Sequence, residues 1–147
     1  MFVLTLSAGI AVTLLLLEIT GLVAGGIIVP AYVSLMLSSP ASLGLLFVLS
    51  FSVLLLLRGL SQFMPLYGTR RYGLSVLVGG VLNALAHAHV PPTVLAVEWS
   101  AFGYLVPGLI AWHFERQGVL LTVIMIAIAA PLTRAVVLLL QMLPGLW

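Results

Sequence analysis

The chain has 147 residues, of which 63% are hydrophobic and 5% charged, against roughly 25% charged in ordinary soluble domains. So few charges cannot cover a surface in water, so lipid is the solvent the composition calls for. With no lysine, cysteine or aspartate, the chain excludes a phosphate-binding loop ending in Gly-Lys-Ser/Thr, a Schiff base, disulfides, thiolate metal sites and a Ser-His-Asp triad.

A spanning helix needs about 20 apolar residues, so this length allows six spans at most, in one membrane domain over 1–147. Met1 to Leu17 is uncharged and lacks the basic start of a signal peptide, which reads as a retained first span. Ile19 to Leu57 is an uncharged run of 39 residues, too long for one crossing. Ser38-Ser39-Pro40 divides it, because proline lacks a backbone donor and restricts the residue before it. The second span then carries Gly25, Gly26 and Pro30, and the third runs from about 41 to 57.

The stretch from Arg58 to Tyr72 is polar, with Leu60, Phe63, Met64 and Tyr67 at helical spacing, and reads as a segment in the interface. The fourth span is expected over about 73–90, with Pro91-Pro92 turning the chain. The fifth is expected from Glu98 to about Phe114, a turn at Glu115-Arg116-Gln117-Gly118, and the sixth over about 119–140.

Gly26-Ile27-Ile28-Val29-Pro30-Ala31 and Gly103-Tyr104-Leu105-Val106-Pro107-Gly108 say nearly the same thing. Each is preceded by a carboxylate, Glu18 or Glu98, and followed by an arginine, Arg58 or Arg134, 28 and 27 residues after the proline. Paired Gly/Pro interruptions in two halves of a membrane chain point to a duplicated fold with a site at the repeat interface. Three spans per half is an odd number, so the halves (about 1–58 and 73–147) are expected to be inverted, with helices broken at Pro30 and Pro107. Arg58, Arg70, Arg71 and Arg116 fall in loops facing one side, which the positive-inside rule makes cytoplasmic. Both termini are then outside.

An ionisable group in a membrane segment is costly and usually faces the bundle interior or a water-filled cavity. Glu18 and Glu98 therefore read as substrate or proton contacts, or as ion pairs with Arg58 and Arg134. Gly26, Pro30, Gly103 and Pro107 would mark unwound backbone, tolerated at membrane depth only where protein or water surrounds it. Arg134 snorkels to the outer interface or attracts an anion there. Arg70 and Arg71 would anchor on anionic lipid, and Arg70, Arg71 and Arg116 would dock an acidic partner or the polyanion. His87 and His89 do not share a helix face, and His113 is distant in sequence, so no metal site is expected. Asn83 and Gln117 read as hydrogen-bond glue between helices.

Three blocks carry a family resemblance. They are Glu18-x-Thr20-Gly21 with Gly26-Ile27-Ile28-Val29-Pro30-Ala31-Tyr32; Gly59-Leu60-Ser61-x-Phe63-Met64 with Tyr67-Gly68-Thr69-Arg70-Arg71-Tyr72; and Val106-Pro107-Gly108-Leu109-Ile110-Ala111 with Gln117-Gly118-Val119. In this order they resemble the membrane subunit of poly-γ-glutamate synthase, the CapC/PgsC family. The absence of lysine and the presence of His87-x-His89 depart from the family's pattern.

The resemblance implies partners. A separate Mur-ligase-like cytosolic subunit would hold ATP and magnesium and join glutamates through their γ-carboxyls. A largely extracytoplasmic subunit would assist export of poly-γ-glutamate. No cofactor is expected in this chain, no activity alone, and no nucleic acid; homo-oligomerisation stays open.

The sequence therefore predicts an all-α, polytopic protein of the cell membrane in two inverted three-segment halves. Its predicted role is that of a non-catalytic subunit of a polymer synthesis and export complex. An independent transporter or channel for an anionic solute is the alternative, and an intramembrane acid–base enzyme using Glu18 or Glu98 a third reading.

Overall fold

A computed structural model describes residues 2–65, 67–91 and 103–143. Every regular element among them is helical: α1 (Phe2–Thr20), α2 (Val29–Met36), α3 (Pro40–Ser61), α4 (Thr69–His89), a 3-10 turn (Gly103–Leu105), α5 (Val106–Gln117) and α6 (Val119–Met142).

The sequence explains where each element stops. Gly21 takes φ 70° and its amide donates to the Leu17 carbonyl at 2.8 Å, the left-handed cap that ends many helices. Residues 22–28 then run without helix, with Gly25 and Gly26 at φ 75° and 131°. Conformations of this kind are open at little cost only to glycine. Pro30 does not break a helix here. It occupies the first turn of α2, and Pro107 does the same in α5, where a missing backbone donor costs nothing. The interruption lies ahead of each proline. Pro40 opens α3 in the same way, and Gly118 at φ 93° turns α5 directly into α6.

Lengths sort the helices into two kinds. α1, α3, α4 and α6 have 19, 22, 21 and 24 residues, and of these α1, α3 and α6 are also apolar enough to cross a membrane. α2 and α5 have 8 and 12 residues, about 12 and 18 Å of helix, too short to cross alone. Seven of the eight α2 residues are buried. The short helices form the centre, where Val29, Tyr32, Val106, Ile110 and Ala111 pack with Leu46, Val53, Leu57, Ile126 and Ala129 of the long ones. The outer faces are lined with exposed Leu, Ile, Val and Phe. Lipid as solvent accounts for that inside-out distribution, and the molecule is an all-α membrane protein.

The helices pack in a pattern unchanged when α1, α2 and α3 are exchanged with α4, α5 and α6. α1 lies on α2 and α6, as α4 lies on α5 and α3; α2 lies on α6, as α5 lies on α3. α1 and α4 run in opposite directions. The C-terminal end of α1 meets that of α5 through Val23 and Gln117, and α4 begins at that same end, where Arg71 pairs with Glu115. We call it the arginine end, since Arg58 also lies in the last turn of α3 there.

Three boundaries differ from the sequence expectation. The polar stretch of 58–72 is helical at both ends, leaving only 62–68 as connection. Arg58 suits a last turn because its charge opposes the helix dipole. Glu115, Arg116 and Gln117 belong to α5 rather than to a turn, and Glu18 closes α1 rather than opening the second segment.

Candidate functional site

The two helix crossings at the centre are built alike. On α1, Thr5, Gly9 and Thr13 form one buried stripe four residues apart; on α4, Ser75, Gly79 and Asn83 do the same. Each stripe receives the first turn of a short helix. A Cβ on Gly9 would lie 2.7 Å from Ala31 Cβ of α2, and one on Gly79 would lie 2.5 Å from the Gly108 nitrogen of α5. Only a glycine lets the backbones approach so closely. Polar atoms at the crossings are tied within and between the elements, except Asn83 Oδ1, which is buried without a hydrogen-bond partner among the described residues. Thr13 Oγ1 donates to the Gly9 carbonyl at 2.7 Å, Ser75 Oγ to the Gly108 carbonyl at 2.6 Å, and Asn83 Nδ2 to the Gly103 carbonyl at 3.2 Å.

Beside the first crossing, the gap between α1 and α4 is floored by the irregular segment and α5. It holds a cavity of about 420 Å³ lined by Thr13, Leu14, Leu17, Val23, Gly26, Ile27, Ile28, Tyr72, Leu109, Trp112 and His113. The His113 ring lies against Gly26, and its Nδ1 is 2.8 Å from the Leu109 carbonyl. Gln117 fixes the floor. Its Oε1 accepts from the Val23 amide at 3.2 Å, and its Nε2 donates to the Val23 carbonyl and to Thr122 Oγ1. One side chain thus reaches both backbone groups of Val23, whose carbonyl also accepts from the Gly25 amide at 2.9 Å.

At the mouth, Arg71 and Glu115 form a bidentate, partly buried ion pair, with Nε donating to Oε2 at 2.7 Å and Nη2 to Oε1. Tyr72 meets Trp112 edge to face at 5.6 Å, and the Arg116 guanidinium sits 5.7 Å from the Trp112 ring centroid, within cation–π range. Arg58, Arg70 and Arg116 are exposed at this end.

These positions sort the residues singled out in the sequence. Gly26 lines the cavity, and Pro30, Gly103 and Pro107 are buried at the starts of the short elements. Arg58, Arg70, Arg71 and Arg116 are gathered at one end. Arg134 is exposed on α6, far from them. Glu18 is exposed on α1 and forms no ion pair with Arg58, because α1 and α3 are not packed together. Glu98, and with it the Glu98–Arg134 pairing, lies outside the described residues. His113 lies near the arginine end and His87 and His89 at the far end of α4, and no His/Cys/Asp/Glu cluster able to hold a metal occurs among the described residues. Sequence reading missed Glu115 as the partner of Arg71. Its signal was scarcity: it is one of three carboxylates.

The architecture defines a small helical membrane protein with half-length central helices and a cationic end. The family model for capsule biosynthesis CapC matches residues 8–123, and the chain belongs to that family. It is 33% identical over 117 residues to the capsule biosynthesis protein CapC of Bacillus anthracis, covering 78% of each chain. It is equally similar, over the same shares, to the PGA biosynthesis protein CapC of Bacillus subtilis strain 168. No solved structure matches.

Proposed function

We propose that this chain is the integral membrane subunit of a poly-γ-glutamate synthesis and export complex. Its relatives are named for capsule and PGA biosynthesis, which supports a role in making a capsule polymer. The chain itself has no lysine, cysteine or aspartate with which to build ATP chemistry. The synthetic step therefore belongs to a separate ATP- and magnesium-dependent cytosolic ligase, and a further extracytoplasmic subunit assists export.

One observation carries this reading: Arg58, Arg70, Arg71 and Arg116 converge on one end of the bundle although they come from three helices. By the positive-inside rule that end is cytoplasmic, which puts both termini outside and the two halves in inverted orientation. An acidic polymer emerging from the ligase would meet cations there first. Arg71 is already neutralised by Glu115, so of these four Arg58, Arg70 and Arg116 have no carboxylate partner among the described residues, and Arg58 and Arg70 are the ones we assign to the polymer or the ligase. Glu18, Glu98 and Arg134 mark the route we assign beyond them, while Gly26, Pro30, Gly103 and Pro107 are buried in the bundle and hold the starts of its short central elements. The cavity described above is mostly aliphatic and aromatic, so the acidic chain would pass between copies or subunits rather than through that cavity.

The test is the pair Arg58→Glu and Arg70→Glu, made together in cells carrying the whole synthase. Polymer output should fall several-fold. If the ligase still co-purifies, the arginines act on the polymer; if it is lost, they dock the ligase. Wild-type output with an intact complex would contradict the proposal. Solute flux through the chain reconstituted without its ligase would favour an independent transporter instead.

A further inference from the structure

The cavity between α1 and α4 sits at membrane depth, yet nothing in polymer synthesis accounts for its chemistry. It opens sideways. Leu14, Ile27 and Tyr72 of its rim are all exposed, and in this protein exposed apolar side chains face acyl chains rather than water. Its volume of about 420 Å³ falls in the range of about 300–1,000 Å³ typical of small-molecule sites. Its inner wall is apolar, from Ile28 and Leu109, with Leu17 on the exposed side.

Its chemistry changes toward the arginine end. There the wall becomes Trp112 and Tyr72, locked edge to face, and the Arg116 guanidinium lies over Trp112. Tryptophan and tyrosine prefer the headgroup level of a bilayer, and a guanidinium matches a phosphate with forked hydrogen bonds. The neighbouring Arg71 is tied to Glu115, whereas no carboxylate pairs with Arg116 among the described residues. Along α5 toward the arginine end, Leu109 of the apolar slot, Trp112 of the aromatic collar and the unpaired Arg116 follow one another. That sequence is the complement of an acyl tail, a glycerol ester region and a phosphate.

We propose that this cavity is a binding site for an anionic phospholipid of the leaflet at the arginine end. One acyl chain lies against Leu17, Ile28 and Leu109, and the phosphate lies on Arg116. The bound tail then covers Ile27, the exposed residue of the irregular segment 22–28. The occupancy rests on the membrane class of the fold and not on the polymer reading.

The test uses Trp112 as a reporter. The chain has three tryptophans, so Trp99→Phe with Trp147→Phe leaves Trp112 alone. The protein is reconstituted with phosphatidylglycerol or phosphatidylcholine brominated along the acyl chain, and quenching of Trp112 is titrated. Brominated phosphatidylglycerol should quench at about one-fifth the mole fraction needed for phosphatidylcholine, the preference expected of one arginine near an anionic headgroup. Arg116→Gln should bring the two curves together. Leu14→Phe with Leu17→Phe, which fills the slot from the exposed side, should remove the tight component while leaving thermal stability unchanged. Native mass spectrometry should find one phosphatidylglycerol retained by the parent and none by the filled variant. Equal quenching by both lipids, unmoved by Arg116→Gln, would reduce the cavity to ordinary boundary lipid and overturn the proposal. Displacement of phosphatidylglycerol by an equimolar polyprenyl phosphate would overturn the identity of the occupant.

Discussion

Gly79 and Gly80 are adjacent in α4, and the account assigns their alanine variants opposite signs. In a helix interior, alanine is better than glycine by about 0.5–1 kcal/mol. At Gly80 an added Cβ meets nothing nearer than 3.9 Å, so Gly80→Ala should keep that gain. At Gly79 the new methyl would stand 2.5 Å from the Gly108 nitrogen and 2.6 Å from its Cα. Contact between heavy atoms is comfortable near 3.5–4.0 Å, so α4 and α5 must separate by about 1 Å. Overpacking of this kind costs about 1–3 kcal/mol. The crossing also carries the Ser75–Gly108 and Asn83–Gly103 hydrogen bonds, and stretching them costs about 1 kcal/mol more. Net of the helix gain, Gly79→Ala should lose about 1.5–3 kcal/mol. A thermal shift in mild detergent should show a drop of roughly 5–10 °C, against no drop for Gly80→Ala. Equal behaviour of the two variants would refute the close crossing.

Three further outcomes follow from the same geometry. Glu115→Gln and Arg71→Gln should each lower stability, the double variant should lose less than the sum of the two, and the exchanged pair Arg71→Glu/Glu115→Arg should recover most of the loss. A thermal-shift double-mutant cycle measures the coupling, which should exceed the ~0–1 kcal/mol of an exposed pair. Gln117→Leu should leave the Val23 amide without its partner and cost about 1–3 kcal/mol, visible as faster amide hydrogen exchange confined to 22–28. Gly9→Ala, whose Cβ would lie 2.7 Å from Ala31 Cβ, should destabilise α1 as Gly79→Ala does α4, while Gly73→Ala, with open space around it, should not.

The membrane class and the helical nature of the segments were legible because hydropathy is a local signal, whereas Pro30 and Pro107 open the short helices instead of breaking longer ones. The tie between Arg71 and Glu115 was not legible, since 44 residues separate them and only packing of α4 on α5 brings them together. The expected Glu18–Arg58 pair failed for the complementary reason. Matching positions along two helices does not make those helices neighbours, and α1 packs on α6 rather than on α3. The stripes Thr5-x3-Gly9-x3-Thr13 and Ser75-x3-Gly79-x3-Asn83 were written in the sequence at helical spacing. They went unread because their meaning depends on a short helix that crosses them. Helix ends ran further than expected at Arg58 and at Arg70-Arg71, because long cationic side chains extend from a helix end as readily as from a loop.

The central claim is that the two halves enter the membrane in opposite senses, with the arginine end in the cytoplasm. The chain has no cysteine, so single cysteines need no background removed. Ser39→Cys lies between α2 and α3, and Gly118→Cys lies between α5 and α6, the same place in each half. In intact cells an impermeant maleimide should label Ser39→Cys and leave Gly118→Cys unlabelled until the membrane is opened. Labelling of both from the same side would contradict the inverted architecture, and labelling of Gly118→Cys alone would place the arginines outside.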